Sequence, residues 1–214
     1  DVAGDYLEAA AAALAERQPH LAVRPVVGDF SAEIDLPAPL IEEMAEAPTV
    51  GFFPGSTIGN FEPAQAQAFL CRARRMLGDR AHMVVGVDLK KDLNVLIPAY
   101  DDAAGVTADF NLNLLDRINR ELGGGFDRDR FAHKVRYDDD EGRIEMHLES
   151  TTDQTVRVDG HAFDFRAGET IHTESSYKYA VPDFRAVADR TGWSPAAHWT
   201  DDADLFSIHL LAAA

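Results

Sequence analysis

The sequence predicts an α/β protein, a parallel, doubly wound sheet interrupted by an α+β insert. Three observations predict it. Strand-length apolar runs at Thr49–Pro54 and Met83–Leu89 flank Pro63–Leu77, where Phe69, Leu70, Ala73, Met76 and Leu77 recur at helical spacing. That alternation of strand and helix belongs to a parallel sheet. Between His133 and Ile171 the hydrophobic period falls to two, so a second, antiparallel layer is expected there. The polar turn Gly55–Asn60 joins the first run to the helix, and in open α/β sheets ligands sit at the carboxyl ends of strands.

Taken in order, residues 4–18 read as a helix with Leu7, Ala10, Ala11 and Leu14 on one face. Leu21–Phe30 reads as a strand ending at Gly28-Asp29-Phe30, and Pro39–Glu46 as a short helix. Thr49–Pro54 is expected to be a buried strand, Pro63 opens the next helix and Gly78 stops it. Met83–Leu89 is another buried strand with Asp88 near its end. Val106–Leu122 reads as one helix burying Phe110, Leu114, Leu115, Ile118 and Leu122, closed by Gly123–Gly125. Strands follow at His133–Tyr137, Arg143–Glu149, Thr155–Val158 and His161–Phe165, and Asp159-Gly160 signals a hairpin. A helix at Pro182–Arg190, stopped by Gly192, returns to the first layer. Trp193–Trp199 and Leu205–Leu211 are expected to pair as its antiparallel edge. The expected division is therefore a main domain of residues 1–90 and 180–214 around an insert of residues 91–179.

The 37 acidic against 20 basic residues, net −17, argue against nucleic acid or an anionic membrane as partner. One cysteine, Cys71, excludes an internal disulfide and suits a reducing cytoplasm. No signal peptide and no bilayer-length apolar run is present in these residues.

Five blocks occur in order: Gly-Ser-Thr-Ile-Gly-Asn-Phe (55–61), Asp-Leu-Lys-Lys-Asp (88–92), Ala-Tyr-Asp-Asp-Ala-Ala-Gly-Val-Thr-Ala-Asp-Phe-Asn (99–111), Ile-Glu-Met-His-Leu (144–148) and Ile-His-Thr-Glu-Ser-Ser-Tyr-Lys-Tyr (171–179). Together they resemble the histidine-specific Nα-methyltransferases of ergothioneine biosynthesis. The resemblance spans essentially the whole chain. It implies a class I methyltransferase (Rossmann-like) sheet with a substrate-binding insert, S-adenosylmethionine as cofactor and L-histidine as substrate. The product implied is Nα,Nα,Nα-trimethylhistidine (hercynine). It also implies that the chain starts after the first strand, Gly-rich turn and helix, so a unit of about 30 residues or more is expected upstream. By itself such a chain is expected to be weakly active or inactive. The protein is expected to be a cytoplasmic monomer.

The donor methyl is already activated, so the protein needs mainly to align nitrogen, methyl and sulfur and to present a neutral amine. No covalent catalytic residue and no metal is expected. By resemblance, Asp1 holds the ribose hydroxyls, and Asp29 and Phe30 meet the adenine. On the residues alone Asp29 reads as a strand-end cap and Phe30 as core. Gly55 and Asn60 mark the junction of cofactor and substrate, Asn60 holding the amino acid; its structural alternative is to cap the Pro63 helix. Tyr100 would donate to the substrate carboxylate, where packing is the alternative. Glu174 and Ser176, two apart in an extended segment, face one side. There a carboxylate can accept from one imidazole nitrogen and a hydroxyl can serve the other. Met146 would pack on the ring, or be core. A cap is the alternative role for Ser175 or Ser176.

The Asp101-Asp102 pair suits a helix start better than a metal. His147 and His172 each lie two residues from a glutamate, but the sequence defines no third ligand, so zinc is a weak reading. The rival functions are a related methyltransferase acting on another amino acid, and a non-catalytic chain that binds a small amino acid.

Overall fold

The computed structural model describes residues 2–214. Helix α1 (Gly4–Arg17) follows from an alanine-rich stretch of high helix propensity, yet it buries no residue. Helix α2 (Ala38–Glu46) begins with proline in its first turn. Residues 21–30 form no strand and join none of the sheets. The strand expected at Leu21–Phe30 is thus corrected: apolar alternation suits a sheet, but a strand exists only through its ladder.

Strand β1 (Val50–Phe53) leads through the Gly55–Asn60 turn into α3 (Pro63–Leu77) and β2 (His82–Asp88). A short helix α4 (Leu93–Leu96) and the long α5 (Val106–Leu122) come next. Strands β3 (Phe131–Asp138), β4 (Arg143–Ser150), β5 (Gln154–Val158), β6 (His161–Phe165) and β7 (Thr170–Tyr177) follow. The chain closes with α6 (Val181–Arg190), β8 (Trp193–Thr200) and β9 (Phe206–Ala213). At the β5–β6 turn Asp159 and Gly160 have φ of 46° and 77°, as the hairpin signal requires.

The main sheet has the order β1–β2–β9–β8. Only β1 and β2 run parallel; β9 is antiparallel to both β2 and β8. The sheet is therefore mixed rather than wholly parallel. β1 lies at its edge, with Val50 and Phe52 60% and 73% exposed, which corrects the buried strand expected there. Its core gathers Ile58, Phe69, Leu70, Val85, Phe184, Trp193 and Leu211. Trp193 donates its indole N–H to the Leu70 carbonyl at 3.0 Å, so the largest buried ring also satisfies its polar atom.

A second sheet, β3–β4–β7, and the β5–β6 hairpin come from residues 131–177. Leu115 of α5 packs with Phe131, Leu148 and Val156 in a core of its own. The buried side of α5 is Asn111 and Leu115, whereas Phe110, Leu114 and Leu122 are exposed, contrary to expectation. Asn111 sits inside because its amide is used: it donates to the His147 carbonyl and bonds the His133 ring. The two layers meet where Leu89, just past β2, forms a parallel bridge with Tyr179, just past β7.

Candidate functional site

The turn after β1 turns sharply because Gly55 and Ser56 both adopt left-handed φ, 71° and 58°. A Cβ on Gly55 would meet nothing within 4 Å, so the left-handed φ rather than crowding calls for glycine here. The Asp88 N–H donates to Ser56 Oγ at 2.9 Å and pins the turn to the end of β2. At buried Gly59 a Cβ would lie 2.7 Å from the Tyr177 carbonyl oxygen, so the turn rests directly on β7. Gly59→Ala is therefore expected to cost about 1–3 kcal/mol, because backbone cannot rotate aside as a side chain can. Thermal melting of the variant measures this; an unchanged midpoint would mean that β7 moves freely.

Asn60 is exposed, and its side chain makes no hydrogen bond among the described residues. It does not cap α3. Glu62 does, in a capping box with Gln65, whose Oε1 accepts from the Glu62 N–H at 3.0 Å.

β7 supplies the facing wall. Its register places Glu174 opposite Met146 and Ser176 opposite Ile144, so these four side chains share one face of the second sheet. Neither Ser175 nor Ser176 is a cap, since both lie within β7. Met146 and Ser176 are buried and Glu174 is half-buried. The Glu174 carboxylate has no hydrogen bond among the described residues. Burial raises its pKa above the ordinary glutamate value, with Lys178 pulling the other way. Tyr100 ends a 3-10 turn, Ile97–Ala99, and brings its hydroxyl to 3.0 Å from Ser176 Oγ. A polar cleft of about 280 Å³ is lined by Asn60, Glu62, Gln65, His172, Thr173, Glu174 and Ser175. It brings Asn60 from the turn and Glu174 from β7 to one opening.

The residues expected at the cofactor lie before β1 and at its end. Asp29 uses one carboxylate oxygen, Oδ1, to accept from both the N–H and hydroxyl of Ser31. Those bonds hold its pKa below the usual value. Asp29 thus closes a turn rather than capping a strand, since residues 21–30 form none, and Oδ2 is left open. Phe30 packs edge-on against Phe53, Phe61 and Phe69 at 5.8–6.4 Å between ring centroids. It is still 43% exposed, so it is only partly core. Asp1 lies outside the described residues. A larger apolar cavity of about 560 Å³ runs beside the open edge of β1, between Phe30, Ile41, Phe52 and Met76. It touches none of Gly55, Asn60 or Glu174 and shares only Phe30 with the residues expected at the cofactor.

A family model described as histidine-specific methyltransferase, SAM-dependent, matches residues 1–213. The chain belongs to that family. Among curated proteins, this chain is 39% identical to histidine N-alpha-methyltransferase of Mycolicibacterium smegmatis, over 98% of the chain and 64% of the relative. It is 37% identical to the protein of that name from Mycobacterium tuberculosis, over 99% of the chain and 65% of the relative. The chain thus spans just under two thirds of the length of these relatives. Among solved structures it superposes on an S-adenosylmethionine-dependent methyltransferase from Clostridium acetobutylicum. The TM-score is 0.51 at 10% identity, covering all of this chain and 73% of the other. At that identity the likeness concerns the fold, that of a class I methyltransferase.

Sequence reasoning missed two groups in this chain. Lys178 is fully buried and bonds Tyr100, Ser176 and Asp88. The signal was present, since the period that pairs Glu174 with Ser176 continues to Lys178. The other group is Glu145, His147 and His172, whose ligand atoms lie within 4.8 Å of one another. A bulge after Met146 sets His147 opposite His172, and Glu145 is the third group that the sequence did not define. Glu145 is occupied by Arg143 at 2.7 Å and by His147 at 3.0 Å, while His172 Nε2 meets the Glu174 carbonyl at 3.0 Å. Asp102, by contrast, does start a helix. It accepts from the Val106 and Thr107 N–H groups, bonds that lower its pKa to about 2. No helix among the described residues is long and apolar enough to cross a membrane.

Proposed function

We propose that this protein transfers methyl groups from S-adenosylmethionine to the α-amine of L-histidine, three times over, giving the trimethyl betaine of ergothioneine biosynthesis. The observation that supports this best is the shared cleft of Asn60 and Glu174, beside the Tyr100–Ser176 pair, in a chain of this family. Glu174 accepts from one imidazole nitrogen and the hydroxyl pair serves the other, with Met146 against the ring. Asn60, whose amide is uncommitted, holds the amino or carboxylate group at the mouth.

The cofactor supplies a methyl already activated on a sulfonium. The residues present fit it. Gly55 leaves open space where a side chain would stand, Asp29 Oδ2 is available to accept from an adenine amine, and the half-exposed Phe30 ring offers a face or edge to the base. Asp1 would take the ribose. The protein then aligns the amine and keeps it desolvated, and alignment of this kind contributes on the order of 7–11 kcal/mol in favourable cases. We read the enzyme as a cytoplasmic monomer that needs no metal.

Mass spectrometry of products tests the proposal. The complete protein is offered S-adenosylmethionine with L-histidine beside other free amino acids. Mono-, di- and trimethylated histidine, and nothing from the others, is the expected result. Methylation of another amino acid instead would keep the reaction and overturn the pocket. No product from a folded protein would favour a binding role.

A further inference from the structure

We propose that Lys178 is a positioning residue that fixes the hydrogen-bond polarity of the substrate pocket, so that histidine is held with a neutral imidazole in a single tautomer. This deepens the histidine reading above and rests on it.

The argument is a count of hydrogens. A lysine ammonium has three N–H donors and no acceptor. The Lys178 side chain is 0% exposed, and its Nζ reaches three oxygens: Asp88 Oδ2 at 3.1 Å, Tyr100 Oη at 2.7 Å and Ser176 Oγ at 2.7 Å. Every donor is used. Asp88 is the countercharge that makes burial tolerable, and it also holds Lys91. The Tyr100 ring adds to this, with Nζ 4.8 Å from its centroid.

Both hydroxyl oxygens accept from Lys178, so each keeps its own hydrogen to donate. Tyr100 Oη and Ser176 Oγ lie 3.0 Å apart, and one of the two hydrogens fills that gap. The hydroxyl that accepts in that gap has both lone pairs filled, by Lys178 and by its partner hydroxyl, so its own hydrogen remains for a ligand and it can only donate. Glu174, on the same face of β7 and two residues from Ser176, is acceptor-only when ionised. The pocket therefore presents one donor beside one acceptor. A neutral imidazole matches this, N–H towards Glu174 and lone pair towards the hydroxyl. An imidazolium would turn an N–H towards the remaining hydroxyl hydrogen and set a second cation near the Lys178 ammonium.

Asp88, the countercharge, also meets the turn. Asp88 accepts from Lys178 through its carboxylate and donates its backbone N–H to Ser56 Oγ, and Ser56 belongs to the turn carrying Gly55 and Asn60. The bond to the turn comes from the Asp88 backbone, so it does not depend on the Lys178 side chain.

The test measures binding of L-histidine and of S-adenosylmethionine to the complete protein by calorimetry, with KM and kcat beside them. Lys178→Met is expected to weaken histidine binding roughly 10- to 100-fold, the range for a hydrogen bond to a charged group. Cofactor affinity stays within about twofold. Lys178→Arg, which keeps charge and donors, recovers part of the loss. In a Tyr100→Phe/Ser176→Ala background, adding Lys178→Met changes histidine binding little, because Lys178 acts through those hydroxyls. Lys178→Gln serves if the Met variant fails to fold. Equal loss of both ligands, unchanged histidine affinity, or an undiminished effect in the double-variant background would each overturn the proposal. If the wild-type protein methylates a different amino acid, the histidine reading fails instead. The same variants assayed with that amino acid then decide whether Lys178 positions its side chain.

Discussion

Replacing Glu174 with alanine is expected to weaken L-histidine binding at least about 100-fold while S-adenosylmethionine affinity changes by less than about twofold. The asymmetry follows from position. Glu174 lies on the β7 face with Ser176 and opposite Met146, whereas the residues assigned to the cofactor stand before β1 and at its end. The carboxylate is half-buried and has no partner among the described residues, so it has paid part of its desolvation and gains a charge-assisted bond when an imidazole N–H arrives. A pocket built to pair a ligand's polar atoms rejects one that leaves them unpaired, by several powers of ten in favourable cases. Glu174→Gln keeps the shape but removes the charge, and it is expected to fall between wild type and Glu174→Ala. Calorimetric titration of both ligands against each variant measures the effect. Parallel loss of histidine and cofactor binding would instead assign Glu174 to folding.

The second large effect concerns stability against pH. His209 sits in β9 between β2 and β8, fully buried. Its Nε2 pairs with Ser207 Oγ at 3.0 Å, its ring lies 4.6 Å from Phe184 and 5.9 Å from His198, and its Nδ1 has no partner among the described residues. Burial, followed by the neighbouring His198 and Arg185, pushes its pKa from 6.5 down to about 4. Between those values the unfolded chain carries the proton and the folded protein does not. Stability is therefore complete above pH 6.5 and is lost as the pH falls towards 4. The full contribution is about 3 kcal/mol. Thermal melts across that interval should fall more steeply for wild type than for His209→Leu. Carboxylates titrate alike in both proteins, so the difference isolates the histidine. Parallel curves would mean that His209 is protonated while folded.

What could be read from the sequence was local. The α3 and α5 boundaries follow from proline, glycine and a 3.6-residue period, and the β5–β6 hairpin from Asp159-Gly160. The common face of Glu174 and Ser176 follows from the period of two. The ordered blocks further identified the family, because their residues recur as sets whatever their spacing in three dimensions.

Where a partner was distant in sequence, residue type misled. Residues 21–30 have the composition of a strand, but they join no sheet. Phe110 and Leu114 look like the buried stripe of α5, but the side facing β3 and β4 is Asn111 and Leu115, and an asparagine is welcome there only because His133 and the His147 backbone meet it. Asn60 was a fair helix cap until Gln65 supplied Glu62 with a reciprocal bond.

The sequence by itself thus determined the helices other than the short α4, the hairpin, the two-layer division of strand patterns and the candidate wall of Glu174 and Ser176, since each depends on neighbours within a few residues. Only the tertiary structure decided that Tyr100 meets Ser176 from 76 residues away, that Lys178 is buried between Tyr100 and Asp88, and that Gly59 must be glycine to lie on the Tyr177 backbone. Those facts depend on which surfaces the chain brings together. The free energy of such contacts comes from desolvation and close approach between distant segments, and no local pattern of residues carries it.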